Sequence, residues 1–361
     1  MSKEITWRLE HEKPGRLLLH YAVPAVIGTM VNSLYNIVDR IYIGQGVGPM
    51  AISGLTLTFP VLMFLQAFGM LIAAGAAARV SIFLGKKEID KAENILGNSL
   101  ILTLIISMFT ITLSMLFLKD ILSLFGGSEN TIPYAMEYLY LVIPTNLLSA
   151  LSFGFNSLMR ASGYPKKAMF TMIIGAVLNI ILDPIFIFVF DMGIRGAAIA
   201  TICSMSVSAA LVMHHFISKK SLIRFRKKYF KLDRQIIFSI LSIGVSPFAM
   251  QLGGSLVNVV MNHSLYTYGG DLALGANGII VSFALFLVMV VIGIAHGMQP
   301  IVGFNHGAGH HDRVIATLRL VIITATGVMG LGWVCGVFFP EIIVRGFTSD
   351  PELTAITVNG S

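Results

Sequence analysis

Nine long apolar runs divide this chain and limit what it can fold into more than any other feature. Each is about as long as the roughly 20 helical residues that cross a bilayer core. Hydrophobic residues make up 55% of the 361 positions and charged residues only 12%, against about 25% charged in soluble domains. The sequence therefore predicts an all-α, polytopic helical membrane protein and excludes an ordinary soluble enzyme. The runs are 17–38, 51–78, 94–118, 132–157, 167–190, 196–217, 236–263, 272–298 and 314–340.

Lysine and arginine are distributed unevenly among the connections between these runs. Of the 25 such residues, 21 fall on one side of the predicted membrane and four on the other. Because cytoplasmic loops carry an excess of Lys and Arg, the N-terminus and the basic 218–235 connection are predicted to be cytoplasmic. We expect a multi-pass protein of the inner or plasma membrane. The net charge of +7 thus indicates orientation rather than a nucleic-acid partner.

A weak internal repeat runs through the chain at an offset of about 222 residues. Pro24 then matches Pro247, and Gly75 matches Gly297. Six spans separate the copies, so both enter the membrane from the same side, as in transporters built from parallel repeats. This predicts two six-helix lobes with the second lobe truncated after the start of a tenth run near Pro351. The predicted parts are an N-lobe at 1–217, a linker at 218–235 and an incomplete C-lobe at 236–361.

The most informative polar residue is Asp183, in the fifth run FTMIIGAVLNIILDPIFIFVF. A carboxylate inside a membrane span is costly and by default indicates function. Asn179 lies one helical turn earlier on the same face, and Pro184 leaves the carbonyl of Ile180 without its usual donor. Such oxygens suit a hard cation such as Na⁺. Alternatively, the carboxyl group binds a proton, or Asp183 is a structural polar group that holds helices together.

The first span carries a polar stripe at helical spacing, formed by Asn32, Tyr35, Asn36 and Asp39. Asp39 is predicted to lie at a depth similar to that of Asp183 and of Thr201 in the sixth span. These residues can therefore meet in one site, and Asn32, Tyr35 and Asn36 are candidates to line a cavity. The alternatives are an interfacial ion pair between Asp39 and Arg40, and an ordinary helix contact for Thr201.

A second stripe, in the seventh span, holds amides without a carboxylate: Gln251, Asn258 and Asn262. It is a candidate substrate path, with interhelical hydrogen bonding as the alternative. The histidine-rich segment FNHGAGHHDR lacks a recognised metal-ligand spacing, so no metal other than a coupling Na⁺ is expected. The sequence has no P-loop, so ATP is not the evident energy source, and no cofactor is expected.

The segments NIILDPIFIF and GIRGAAIAT, within 179–201, resemble the multidrug and toxic compound extrusion (MATE) family of transporters. Supporting segments are LYNIVDRIYIGQGVG, LMRASGYPKKAM and QPIVGFNHGA, and the resemblance to the bacterial, MepA-like branch covers essentially the whole chain. It implies twelve spans in two lobes around a central cavity. It also implies a cation site in the N-lobe, whose matching residues here are Asp39, Asn179, Asp183 and Thr201. Some family members use C-lobe carboxylates, and the amide-only second stripe favours the N-lobe as the coupling site.

The sequence therefore predicts a secondary active multidrug efflux transporter and not an enzyme. It would export cationic or amphipathic compounds by Na⁺ or H⁺ antiport through alternating access. Expected partners are these drugs, the coupling cation and membrane lipid, with no nucleic acid and a monomeric state. A lipid-linked sugar flippase is the alternative, although the spans hold few basic residues for a pyrophosphate. An integral-membrane enzyme is less favoured, because only the 306–312 cluster offers clustered reactive side chains.

Overall fold

The computed structural model describes residues 2–46, 49–124 and 132–340, and its regular elements there are all helical. Nine helical stretches in these ranges are long and apolar enough to cross a membrane. Their number confirms the nine predicted spans, and their helical character confirms the predicted class; the predicted tenth run lies outside the described residues. The stretches are Pro14–Ile43, Pro60–Gly85, Ile89–Leu116, Ile132–Ala161, Pro165–Val189, Gly193–Ile217, Arg234–Gly254, Phe283–Gly307 and His311–Phe338.

The α-helices of the described ranges are numbered in chain order. They are α1 (Ser2–His11), α2 (Pro14–Gly46), α3 (Pro49–Gly85), α4 (Ile89–Leu116), α5 (Leu118–Leu124), α6 (Ile132–Val142), α7 (Asn146–Ser149), α8 (Phe155–Ala161), α9 (Pro165–Pro184), α10 (Gly193–Ile217), α11 (Arg234–Gly307) and α12 (His311–Phe338). The fourth span combines α6, α7 and α8 through a 3₁₀ turn at Ile143–Thr145 and a π turn at Ala150–Gly154. Pro144 lies in the 3₁₀ turn, where its missing N–H interrupts the regular hydrogen bonding.

Helix α11 contains 74 residues, and a straight helix of that length would extend about 110 Å. It cannot be straight, because both of its ends pack beside α3. The Nε of Arg79 donates to the carbonyl oxygen of Ser239 at 3.2 Å, and Gln299 Nε2 donates to the carbonyl oxygen of Ala74 at 3.1 Å. The helical chain therefore reverses direction between Ser239 and Gln299.

The eighth span differs from the prediction. The predicted end at residue 298 lies about nine residues too early, because the apolar helix extends to Gly307. The predicted end fell before Pro300, but the helix continues through that proline to Gly307. Membrane helices tolerate proline where neighbouring groups satisfy the freed backbone.

Close backbone contact joins α3 to both ends of α11. A Cβ atom added at Gly75 would overlap the backbone of Ile240, and one added at Gly85 would overlap the backbone of Phe304. Small residues allow membrane helices to approach this closely. These contacts lie toward the end of the bundle that carries the connections 86–88, 162–164, 218–233 and 308–310, which we term the basic end.

The predicted 218–235 linker is held against α4 at the basic end. The buried carboxylate of Glu93 accepts hydrogen bonds from Arg226 Nε at 3.1 Å and from the backbone N–H of Arg224 at 3.2 Å. Asn98 Oδ1 accepts from the backbone N–H of Asp233 at 2.8 Å. Hydrogen bonds from Lys228 toward Tyr229 and Asp90 raise the pKa of its ammonium group. The linker therefore has a defined path across α4.

Candidate functional site

A narrow cleft lies among α2, α9, α10 and the π turn of the fourth span. Four of the residues predicted from the sequence line it: Asn32 and Tyr35 from α2, Asn179 from α9 and Thr201 from α10. The sequence places Asn32 and Tyr35 on one helical stripe, Asn179 on the same face as Asp183, and Thr201 at a similar depth. The packing of α2 and α10 against α9 brings these side chains to one cleft.

Two carboxyl groups face each other beside this cleft. Asp183, near the end of α9, is fully buried, and its carboxyl group contacts that of Asp39 on α2. Two negative charges in contact repel strongly when they are removed from water. The pair therefore needs a proton or a metal cation to remain in this arrangement.

Asn179 adds an amide to the carboxyl pair. Its Nδ2 donates to Asp183 Oδ1 at 3.4 Å, one helical turn away. The remaining oxygens, Asn179 Oδ1 and Asp183 Oδ2, are buried and receive no hydrogen bond from the described residues. Buried acceptors without donors cost free energy. Carboxylate and amide oxygens are the ligands that hard cations prefer, so this group fits a proton or a cation such as Na⁺.

The local sequence explains how α9 ends at this site. Pro184 cannot donate to the carbonyl of Ile180, and the helix widens directly afterwards into a π turn at Ile185–Val189. The chain then turns sharply, with positive φ angles at Asp191 (51°) and Gly193 (55°). This turn starts α10 beside the end of α9 and so places Thr201 within reach of the polar group. Widened turns of this kind are frequent at functional sites.

Tyr138 is a residue of this group that the sequence reasoning missed. It projects from α6, is almost fully buried, and forms a side-chain hydrogen bond with Thr201. It also lies close to Asp39 and Asp183. No pattern in the segment PYAMEYLYLV distinguishes it, because that segment holds three tyrosines and no polar stripe. Only the packing of α6 against α10 distinguishes Tyr138 from the other two.

The second predicted stripe is only partly described. Gln251 lies on α11, where its Nε2 contacts the sulfur of Met63 on α3 at 2.9 Å, so it belongs to the α3–α11 contact rather than to the cleft. The side chains of Asn36, Asn258 and Asn262 lie outside the described residues. In the part of the chain that the structure describes, no three His, Cys, Asp or Glu side chains converge as metal ligands.

Comparison with known proteins gives relatives along almost the whole chain. The multidrug export protein MepA of Staphylococcus haemolyticus is 26% identical over 356 residues, which is 99% of this chain and 78% of that protein. The MepA protein of Staphylococcus aureus strain MSSA476 is 27% identical over 354 residues, covering 98% of this chain and 78% of the relative.

Solved structures show the same architecture. A MOP superfamily transporter from Pyrococcus furiosus, described as having a binding pocket of reversed polarity, superposes with a TM-score of 0.89 at 26% identity. The superposition covers 98% of this chain and 78% of that one. An outward-facing multidrug resistance MATE family transporter has a TM-score of 0.92 at 23% identity, covering 98% and 79%, and at that identity it supports the fold alone.

The family model described as MatE matches residues 24–185 and 243–359. These stretches include the carboxyl pair, Tyr138 and Asn179. The relatives named multidrug export proteins are transporters rather than enzymes. The chain therefore belongs to the MatE family, as a MepA-like, multi-pass membrane transporter.

Proposed function

We propose that this protein exports cationic or amphipathic compounds from the cell in exchange for Na⁺ or H⁺. The observation that carries the proposal is the contact between the carboxyl group of Asp39 and the fully buried carboxyl group of Asp183, which requires a positive charge. The name of the MepA relatives, multidrug export protein, supports the outward direction and a drug cargo. Asp39, Asn179, Asp183, Thr201 and Tyr138 form the coupling site.

Cation binding would change the position of α2 relative to α9. When the cation leaves, the two carboxylates repel each other, and the helices that carry them favour a different packing. A cation can shift this equilibrium only by its difference in affinity for the two packings. The carboxyl pair supplies that difference, because a cation relieves repulsion only where Asp39 and Asp183 are close together.

The packing at the basic end supports alternating access between two lobes. The contacts of Gly75 with Ile240 and of Gly85 with Phe304 close this end. Farther along α2, Leu34 and Ile37 are exposed. We assign the basic end to the cytoplasm of a monomeric protein in the cell membrane, with the described conformation closed on that side.

The chemistry of the side chains around the cleft is compatible with a varied, amphipathic cargo. Beside its polar groups it presents Phe153, Met172 and Met205. Flexible, polarisable methionine side chains adapt to ligands of different shapes. No lysine or arginine lines the described cleft, so it offers no partner for the pyrophosphate of a lipid-linked sugar, and the flippase alternative gains no support.

The test is dye efflux from proteoliposomes, with the Na⁺ and pH gradients imposed separately. Efflux by the unsubstituted protein under one gradient identifies the coupling cation. Asp183→Asn removes one charge of the pair with little change of shape and should reduce gradient-driven efflux to the level of protein-free vesicles.

Asp191→Asn is the matched control. Asp191 is exposed, lies eight positions after Asp183, and sits in a left-handed conformation that asparagine tolerates. This variant should retain the unsubstituted rate. Gradient-driven efflux at that same rate by Asp183→Asn would exclude the coupling site.

A further inference from the structure

Arg160 is a buried positive charge that the coupling mechanism does not use. It lies in the last turn of α8, and only 8% of it is exposed. Its guanidinium donates to Asn156 Oδ1 and, at 2.8 Å, to Ser157 Oγ. No ion pair within the described ranges includes Arg160. Burial of a guanidinium without a carboxylate is costly, which points to a role beyond packing.

Hydrogen bonds link Arg160 to the cleft. Asn156, which accepts from Arg160, donates through Nδ2 to Thr171 Oγ1 at 2.8 Å. Ser208 Oγ donates to the carbonyl oxygen of Thr171 at 3.4 Å, and Ser208 lines the same cleft as Asn179. The side chains of Asn156, Thr171 and Ser208 are buried. A chain of hydrogen-bonded polar groups therefore extends from the cleft to the guanidinium.

Arg160 lies between the cleft and the basic end. On α9, Thr171 precedes Asp183 by 12 residues, or about 18 Å along a helix. Helix α8 ends beside Tyr164, whose hydroxyl donates to the carbonyl of Lys220 in the basic linker. His296 of α11 lies near Arg160 and supplies no negative charge. The guanidinium thus stands on the route from the carboxyl pair to the proposed cytoplasmic side.

We propose that Arg160 is an electrostatic barrier that stops the coupling cation from crossing through the N-terminal helices to the cytoplasm. The inference rests on the proposed cation coupling. A fixed positive charge in surroundings of low dielectric repels a cation, and a pore-lining arginine excludes cations in the same way. Without this barrier, cations would cross along the chain of hydrogen-bonded polar groups. The cation gradient would then dissipate with no export of drug.

The experiment measures cation entry into proteoliposomes without drug, using radioactive Na⁺ or an internal pH dye under an imposed gradient. Arg160→Gln keeps hydrogen-bond donors toward Asn156 but removes the charge. A unit charge about 10 Å from the crossing cation, at an effective dielectric of about 20, changes the rate of crossing about tenfold. Cation entry should therefore rise about tenfold in this variant.

Arg160→Lys keeps the charge, and its rate of cation entry should stay near that of the unsubstituted protein. The matched control Arg195→Gln, at an exposed ion pair with Glu137, should also leave entry unchanged.

Unchanged cation entry in a folded Arg160→Gln variant overturns the proposal. A purely structural role would instead lower the thermal stability of both Arg160→Gln and Arg160→Lys without raising entry. If Arg160→Gln does not fold, Ser157→Asp places a carboxylate against the guanidinium and cancels its charge. That variant should also raise entry, and an unchanged rate there equally overturns the barrier.

A double variant separates this inference from the coupling proposal. Because the leaking cation passes through the carboxyl pair, adding Asp183→Asn to Arg160→Gln should return entry to the unsubstituted level. Persistent entry in the double variant contradicts the proposed route. Drug efflux that responds to neither gradient in the unsubstituted protein defeats the coupling proposal, whereas coupled efflux with no leak in Arg160→Gln defeats only the barrier.

Discussion

The carboxyl group of Asp39, on the first span, contacts the buried carboxyl group of Asp183, on the fifth span, beside the cleft. The ionised form of each residue disfavours the ionised form of the other. The two residues therefore act as one unit, and so the effects of changing them cannot be independent.

Asp39→Asn and Asp183→Asn should consequently be non-additive. Each single variant is expected to abolish gradient-driven efflux, and the double variant should be no worse than either, because residues of one functional unit behave in this way. Equilibrium binding of radioactive Na⁺ and proton uptake on acidification measure the site directly. Independent, additive losses in cation affinity would contradict a shared site.

Tyr138→Phe removes one hydroxyl from the group without changing the packing of the ring. Loss of its hydrogen bond to Thr201 should cost about 1 kcal/mol, or about fivefold in apparent cation affinity. Tyr140→Phe is the control, since Tyr140 lies two positions away and is exposed. The dependence of the efflux rate on the concentration of the coupling cation gives the apparent cation affinity of each variant. Equal affinities in the two variants would show that Tyr138 is not part of the site.

Gly75→Ala should weaken the contact between α3 and α11. The new methyl group would overlap the backbone of Ile240, and overpacking of this kind costs about 1–3 kcal/mol. Gly253→Ala is the matched control, because nothing lies within 4 Å of a Cβ added there, and alanine favours a helix by about 1 kcal/mol. Thermal unfolding in detergent should give a lower midpoint for the first variant alone; equal midpoints would contradict the close contact.

Glu93→Gln should loosen the basic linker from α4. The change removes the charge that pairs with Arg226 in a buried position, where a hydrogen bond to a charged group contributes about 1.5–3 kcal/mol. Asp90→Asn changes an ion pair whose carboxylate is 80% exposed and should have little effect. Limited trypsin digestion reports the difference, since the linker is rich in Lys and Arg. Slow cleavage of both variants would show that Glu93 does not anchor the linker.

Much of the site could be predicted because its residues break a strong local rule. Asp183 and Asn179 stand out as polar groups in an apolar span, and Asn32, Tyr35 and Asp39 stand out by their helical spacing. Tyr138 could not be found in this way, since a tyrosine is compatible with an apolar span and two others are nearby. In the sequence, Arg160 is one of several positive charges near the predicted ends of spans. Its burial becomes evident only from the fold.

The sequence by itself determined the membrane class, the nine described spans and the stripe on which each polar residue lies. Hydrophobic length and helical period are local properties, so the order of residues is sufficient to state them. The sequence allowed Asp39 and Asp183 to meet, and the tertiary structure decided that their carboxyl groups are in contact. It alone decided that Tyr138 joins Thr201 and that both ends of α11 pack beside α3. Those relationships depend on which helices pack together and at what rotation, and contacts between distant spans fix both.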